Sequence, residues 1–169
     1  MTTKTCCGTT SETQTKSDSG YEIVRLEKTD KYCALCDQYA EKHQTKPVVV
    51  LSCDGACLRG EVARQAANEL CYSLAPEKTV RICLGAAFTK ETSQRQLVRN
   101  APRLISLEGC YINCASRMMG GVIEGLEPEV INVDQLYDFD RKLFGTDEML
   151  DEEIKAHGRG AARQIAARL

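Results

Sequence analysis

A chain of 169 residues is long enough to bury the hydrophobic core of one domain. The formal net charge of −2 argues against a general nucleic-acid binder, and no apolar run approaches the roughly 18 residues of a transmembrane helix. The first 20 residues lack the apolar segment of a secretory signal, so we expect a cytoplasmic protein, in which ten cysteines indicate metal or redox chemistry rather than structural disulfides.

The N-terminal segment is polar and offers almost nothing to bury. Residues 1–20 consist mainly of Thr, Ser, Lys, Gly and acidic residues, and we expect them to form a disordered tail. Cys6 and Cys7 lie in this tail. They are either incidental exposed thiols or part of a mobile arm that delivers thiols to the main site.

Residues 21–46 predict a short strand, over residues 21–26, and then a helix with Asp30 as its N-cap. The helix carries Cys33 and Cys36 as a Cys-x-x-Cys pair. At the start of a helix, this spacing suits a second metal site or a dithiol–disulfide redox pair. Alternatively, both cysteines serve only as small apolar residues on a buried helix face.

Four strand-like runs follow, and a proline precedes each of them. These prolines are Pro47, Pro76, Pro102 and Pro128. The runs are almost continuous in β-branched and aliphatic residues, as strands buried on both faces require. Helical patterns over residues 60–74, 89–100 and 113–120 separate them. Residues 47–146 therefore predict an α/β fold, a Rossmann-like three-layer domain with a mainly parallel four-stranded sheet.

Residues 147–169 predict a C-terminal helix with Asp147 as its N-cap, acidic residues in its first turn and arginines near its end. This charge distribution matches the helix dipole. Gly158 and Gly160 are expected to weaken the helix. The Cys-x-x-Cys helix and this C-terminal helix thus flank the central α/β domain.

Cysteines follow three of the predicted strands. Cys53, Cys83 and Cys110 lie at or just beyond the strand ends, and Cys57 and Cys114 lie four residues beyond Cys53 and Cys110. Because the carboxyl ends of parallel strands meet at one edge of a sheet, we expect all five thiols to converge there. Buried core cysteines would instead be scattered along the strands. The pattern therefore predicts a metal or cluster site at this edge.

All-thiolate coordination suits either zinc or an iron–sulfur cluster, and the residue pattern does not separate the two. The negative charge of several thiolates could be offset by Arg59, Arg81 and Arg117. His43 and His157 lie in polar helical contexts, so we expect solvated side chains rather than ligands.

Three runs of sequence contain these cysteines: SCDGACLRGEVARQAAN, VRICLGAA and LISLEGCYINCA. They resemble the DGC-domain family of prokaryotic zinc-binding proteins. The family's Asp-Gly-Cys motif reads Glu108-Gly109-Cys110 here, and the resemblance covers roughly residues 47–145. It implies four chelating cysteines, which fall on Cys53, Cys83, Cys110 and Cys114. Cys57 is then the fifth member of the site, and Cys33 and Cys36 are additional to that set.

A rival interpretation starts from the same opening run. Cys53 and Arg59 have a Cys-x5-Arg spacing that resembles the phosphate loop of low-molecular-weight tyrosine phosphatases and of arsenate reductases. That resemblance implies a Cys53 nucleophile, an oxyanion held by Arg59, and Asp138 or Asp140 as general acid. However, Gly60 stands where that motif has Ser or Thr.

From these features we expect a cysteine-rich metal-binding protein. Zinc would be held by thiolates at the carboxyl edge of the sheet, and the protein would act as a metal carrier, a sensor, or a redox or assembly factor. A protein partner would receive the metal or electrons, whereas nucleic acid and membrane are not expected as partners. The alternatives are the Cys-x5-Arg thiol enzyme and an iron–sulfur electron-transfer protein.

Overall fold

The computed structural model describes residue 20 and residues 24–169. The strands among these residues are β1 Val48–Ser52, β2 Thr79–Arg81, β3 Arg103–Glu108 and β4 Glu129–Asn132. The α-helices are α1 Ala34–Lys42, α2 Leu58–Glu69, α3 Leu84–Thr89, α4 Ser93–Arg99, α5 Cys114–Gly120 and α6 Asp151–Ala166. A π-helical turn, Leu70–Leu74, extends α2, and two 3₁₀ turns, Val133–Gln135 and Thr146–Glu148, follow β4. No helix in this described part is long and apolar enough to span a membrane.

The four strands form one parallel sheet in the order β2-β1-β3-β4. Val50 in β1 pairs with Arg81 on one side and with Ile105 on the other. With helices on both faces, this arrangement confirms the expected three-layer α/β fold. The chain adds β2 on one side of β1 and then β3 on the other, so the carboxyl ends of β1 and β3 flank a topological switch point. Open α/β sheets bind their ligands at such points.

Alternate residues of β1 face opposite layers of the domain. Val48 and Val50 pack into a core with residues of α2 and α6, whereas Val49 and Leu51 pack into a second core with residues of α1, α3, α4 and α5. All four side chains are buried. A strand covered on both faces needs an apolar residue at every position, which explains the unbroken run after Pro47.

Helices α2 and α6 approach each other closely at Gly158. A Cβ atom at this position would lie 2.7 Å from the Cβ of Gln65 and 3.2 Å from the backbone nitrogen of Ala66. The helix contact therefore requires the absence of a side chain here. The expectation that Gly158 simply weakens the last helix overlooks this role.

Part of the N-terminal prediction lies outside the described residues. Residues 1–19, which include Cys6 and Cys7, and residues 21–23 belong to that part. Residues 24–26 form no strand and are exposed to solvent. The short strand expected over residues 21–26 is therefore not found in its described half.

Two helices begin later than their sequences suggest. The N-cap of α1 is Cys33 and not Asp30. α6 begins at Asp151 and not next to Asp147. In the second case, the carboxylate of Glu148 accepts hydrogen bonds from the amides of Phe144 and Gly145, at 2.7 Å and 2.5 Å. These bonds close a separate 3₁₀ turn ahead of the helix.

The helix expected over residues 89–100 is found as α4 and begins later than expected, whereas α3, which begins directly after Cys83, is a separate helix that was not predicted. The guanidinium of Arg95 donates to the carbonyl oxygens of Ala87 at 2.6 Å and of Phe88 at 2.7 Å. These bonds satisfy carbonyl groups at the end of α3 that would otherwise lack partners. As a result, α3 ends before α4 begins, and Cys83 lies at the start of a separate short helix.

Candidate thiol site

Two loops meet at the switch point, one after β1 and one after β3. In the first loop, Cys53 is buried, and its sulfur accepts a hydrogen bond from the amide of Gly55 at 3.4 Å. The amide of Cys53 donates to the carbonyl oxygen of Leu107 at 2.9 Å. This bond continues the pairing of β1 with β3 by one residue, so Cys53 lies directly at the end of the sheet.

Glycines allow the two loops and the first turn of α2 to touch. A Cβ atom at Gly60 would lie 2.5 Å from the carbonyl oxygen of Gly55. A Cβ atom at Gly109 would lie 2.8 Å from the backbone nitrogen of Gly60. Side chains at these positions would push the loops apart, together with their cysteines. The Ser or Thr that the phosphatase motif places after its arginine therefore does not fit at Gly60.

A buried carboxylate fixes the start of α5. Glu108 is fully buried at the end of β3. Its carboxylate accepts hydrogen bonds from the hydroxyl of Ser106 at 2.7 Å, the amide of Ser116 at 2.7 Å and the amide of Ala115 at 3.2 Å. Two amides of the first helical turn thus gain the partner that a helix end requires, and Cys114 is held in place. From the sequence alone, Glu108 is identified only as the residue that replaces the aspartate of the family motif. Its position between a buried strand and a helix was the available signal for its structural role.

The loop between Cys110 and Cys114 is shaped by one left-handed residue. Asn113 has φ 55° and ψ 49°, a conformation that asparagine tolerates better than most residues. The two residues before it, Tyr111 and Ile112, expose 61% and 40% of their surfaces. The loop therefore carries two apolar side chains into solvent between two cysteines.

Four thiols are electrostatic neighbours around these loops. We call them the switch-point thiols: Cys53, Cys57, Cys110 and Cys114. Partial desolvation raises the pKa of Cys114 although this residue is exposed, and the nearby Cys110, Glu108 and Cys57 raise it further. Burial also raises the pKa of Cys53, opposed by hydrogen bonds from the amides of Gly55 and Gly109. Without a cation, these effects favour the protonated thiols of Cys53 and Cys114, because a negative charge nearby disfavours their ionisation.

The donor chemistry of this group suits a thiophilic metal, since thiolates are the ligands of structural zinc and of iron–sulfur clusters. The side-chain positions are less suitable. Across residue 20 and residues 24–169, no three or more His, Cys, Asp or Glu side chains are arranged as a metal site. The switch-point thiols are therefore neighbours that do not form a finished coordination site.

Cys83 has different neighbours. It is the exposed N-cap of α3, and its amide donates to the side-chain oxygen of Gln94 at 2.9 Å. Its thiol lies beside that of Cys36, and the two line a cavity of about 380 Å³ together with Arg81 and Asp54. The strand-end rule places Cys83 correctly at the carboxyl edge. It does not reveal that Cys83 meets the Cys-x-x-Cys pair there.

The Cys-x-x-Cys pair is asymmetric. Cys33 is exposed, and hydrogen bonds from the amide and then the thiol of Cys36 lower its pKa. Cys36 is less exposed, and its hydrogen bond with Cys33, its burial and the nearby Cys83 raise its pKa to about 12. Cys33, Cys36 and Cys83 thus lie together at the starts of α1 and α3.

The family model for the DGC domain matches residues 49–156 of the chain. The chain belongs to the DGC domain family. The match includes all the switch-point thiols and Cys83, and it extends into the first turns of α6. It leaves out α1 with Cys33 and Cys36. Searches of the curated proteins and of the solved structures returned no match.

Arg59 is buried in the DGC domain at the start of α2, with 8% of its surface exposed. Its Nε atom lies 3.9 Å from a carboxylate oxygen of Asp134, and its guanidinium lies 5.2 Å from the ring centre of Phe139. Asp134 also pairs with Arg141 at 3.4 Å. The Cys-x5-Arg hypothesis needs Arg59 to hold an oxyanion, whereas here it is paired with a carboxylate inside the DGC domain.

The other arginine candidates and His157 have varied surroundings. Arg81 pairs with Asp54 at 3.3 Å and lines the cavity together with Cys83, and Arg117 lowers the pKa of Cys114, so both arginines lie near thiols. His157 was expected to be solvated. Instead it is partly buried against the ring of Tyr137, with 4.7 Å between the ring centres.

Proposed function

We propose that this DGC domain binds a thiophilic metal ion, with zinc as the first choice, through the switch-point thiols. The observation that carries the proposal is the meeting of four thiols from two loops at the topological switch point of a parallel sheet. Thiolates select zinc or iron–sulfur clusters over harder cations. The family resemblance also implies Cys83 as a ligand, and the experiment described below tests Cys83 together with the switch-point thiols.

Two features of the loops support a role in metal transfer rather than a purely structural one. Cys114 is exposed, and Cys110 is only partly buried, so a partner can reach the ligands from solvent. The exposed Tyr111 and Ile112 lie between them and provide an apolar contact for a receiving protein. We therefore propose a metal carrier, sensor or assembly factor whose partner is another protein.

The chain's own residues would hold the ion in a defined way. Gly60 and Gly109 keep the two loops in contact, and Glu108 holds the start of α5. A bound metal would supply the positive charge that stabilises neighbouring thiolates. Because the thiols are not drawn together into a site, binding has to reorient side chains on the loops. A site of this kind suits release better than a rigid cage does.

The test is elemental analysis and a visible absorption spectrum of protein purified without oxygen. We expect about one zinc ion per chain and no colour. Cys110→Ser should lose most of the zinc, whereas Cys71→Ala should keep it, since Cys71 is buried outside the switch-point thiols. Cys83→Ser shows whether that thiol belongs to the ligand set.

Other outcomes separate the alternatives. A brown protein with iron and sulfide would favour an iron–sulfur protein held by the same thiols. Equal zinc content in the wild type and in Cys110→Ser would refute the proposed ligands. Metal-free protein with titratable thiols would favour Cys-x5-Arg chemistry. In that case Arg59→Ala should abolish arsenate or phosphate binding, whereas under the zinc proposal it should leave the zinc content unchanged.

A further inference from the structure

Three thiols outside the switch-point group meet at the starts of α1 and α3. The sulfur of Cys33 is within hydrogen-bonding range of the thiol of Cys36 and of the amides of Leu35 and Cys36. The thiol of Cys36 is in turn beside that of Cys83. Two of the three come from α1, which lies outside the region matched by the family model. Metal binding at the switch point gives these two cysteines no role.

The cavity beside these thiols can accept a small substrate. Its volume is about 380 Å³, within the range of small-ligand pockets. Cys36 and Cys83 line it, and so do the apolar side chain of Leu35 and the ring of Tyr72. Leu35 exposes 77% of its surface and Tyr72 exposes 56%, so the cavity opens between two solvent-facing apolar groups. A substrate in the cavity therefore contacts Cys36, and Cys33 lies exposed beside Cys36, where a substrate sulfur can reach it from solvent.

We propose that Cys33 and Cys36 are a dithiol–disulfide redox couple that reduces disulfide substrates at this cavity. Cys33 is the attacking thiol, because it is exposed at the N-cap of α1, where the nearby amides of the first helical turn favour a thiolate. Cys36 is the resolving thiol, because it is less exposed and lies in contact with Cys33.

The reaction balances without any further reagent. The thiolate of Cys33 attacks one sulfur of a substrate disulfide RSSR, so the substrate S–S bond breaks and one RSH leaves with the proton from Cys33. The thiol of Cys36 then attacks the sulfur of Cys33 in the mixed disulfide, and the second RSH leaves with the proton from Cys36. Two electrons pass from the dithiol to the substrate. The protein is left with a Cys33–Cys36 disulfide and the substrate with two thiols.

Trypsin makes this proposal testable by mass spectrometry of the full chain. It releases Cys33 and Cys36 together in residues 32–42 and Cys83 alone in residues 82–90, while the switch-point thiols fall in other peptides. The reduced protein is exposed to oxidised glutathione, the disulfide of a tripeptide, and the remaining free thiols are then alkylated. Because each group is read on its own peptide, the result does not depend on metal binding at the switch point.

We expect the peptide of residues 32–42 to be lighter by two hydrogens and unalkylated, with an internal disulfide. Cys36→Ser should instead trap glutathione on Cys33, at about ten times the wild-type level, because nothing resolves the mixed disulfide. Cys83→Ser tests whether Cys83 is the partner of Cys36 instead of Cys33. Cys71→Ala is the matched control, because Cys71 is buried and does not line the cavity, and it should keep the internal disulfide. The proposal is overturned if Cys33 carries equal glutathione in the wild type and in Cys36→Ser, or if Cys83→Ser abolishes the disulfide.

Discussion

Replacing Glu108 with glutamine tests the buried hydrogen bonds that hold α5 against the end of β3. One carboxylate oxygen accepts from the hydroxyl of Ser106 and the amide of Ser116, both at 2.7 Å, and the other accepts from the amide of Ala115 at 3.2 Å. Glutamine has the same shape and keeps one oxygen. Its NH₂ group then faces the amide of Ala115, and two donors cannot bond to each other.

The expected loss of stability follows from these contacts. A buried amide left without an acceptor costs about 1–3 kcal/mol. Losing a negative charge at a helix N-terminus costs about 0.3–1 kcal/mol more. We therefore expect Glu108→Gln to lower the free energy of unfolding by about 2–3 kcal/mol, with no cavity to complicate the comparison.

Urea unfolding followed by circular dichroism measures this loss, with Glu129→Gln as the matched control. Glu129 accepts hydrogen bonds from Arg103 on the exposed end of the sheet, the shorter at 2.8 Å, and such ion pairs contribute about 0–1 kcal/mol. If the two variants differ by less than about 0.5 kcal/mol, the carboxylate of Glu108 does not anchor α5. A large loss for Glu108→Gln alone would support the anchor.

Two further predictions concern the packing of the loops and the alkaline limit of stability. Gly60→Ser should lower the free energy of unfolding in urea by at least about 2 kcal/mol, because its Cβ would lie 2.5 Å from a carbonyl oxygen. Gly85→Ala is the control: a Cβ at Gly85 would have nothing within 4 Å, so this variant should stay within about 1 kcal/mol of the wild type. Burial raises the pKa of Cys71 to about 11 from an ordinary value of 9.0, so the unfolded chain ionises first as the pH rises. The contribution of Cys71 to the free energy of unfolding should be constant below pH 9 and fall by about 2–3 kcal/mol up to pH 11. A Cys71→Ala variant that kept the same alkaline slope would contradict this assignment.

The sheet and the switch-point cysteines were predictable because local patterns determine both. A strand covered on both faces must be apolar throughout, and the run after Pro47 meets this requirement. A parallel sheet places the ends of its strands at one edge, so Cys53 and Cys110 had to lie near each other. These inferences need no knowledge of distant contacts.

The neighbours of Cys83 were not predictable because they depend on how α1 packs against α4. The carboxylate of Asp37 accepts the amide of Ser93 at 2.6 Å, and the side-chain amide of Gln94 donates to the carbonyl oxygen of Cys36 at 2.5 Å. The partners in these contacts lie 56 and 58 positions apart in the chain. No local pattern encodes such a pairing, so the edge rule identified where Cys83 lies but not what it meets.

Gln94 also determines the point during synthesis at which α1 can pack against α4. This side chain, with 1% of its surface exposed, joins the carbonyl oxygen of Cys36 to the amide of Cys83. The ribosome releases the N-terminal end first, so Cys36 emerges 58 positions ahead of the residue that docks its helix, and Cys33 emerges earlier still. Until Gln94 has emerged and folded, the pair has no cavity beside it. A newly made chain therefore presents these two thiols to the cell before their pocket exists.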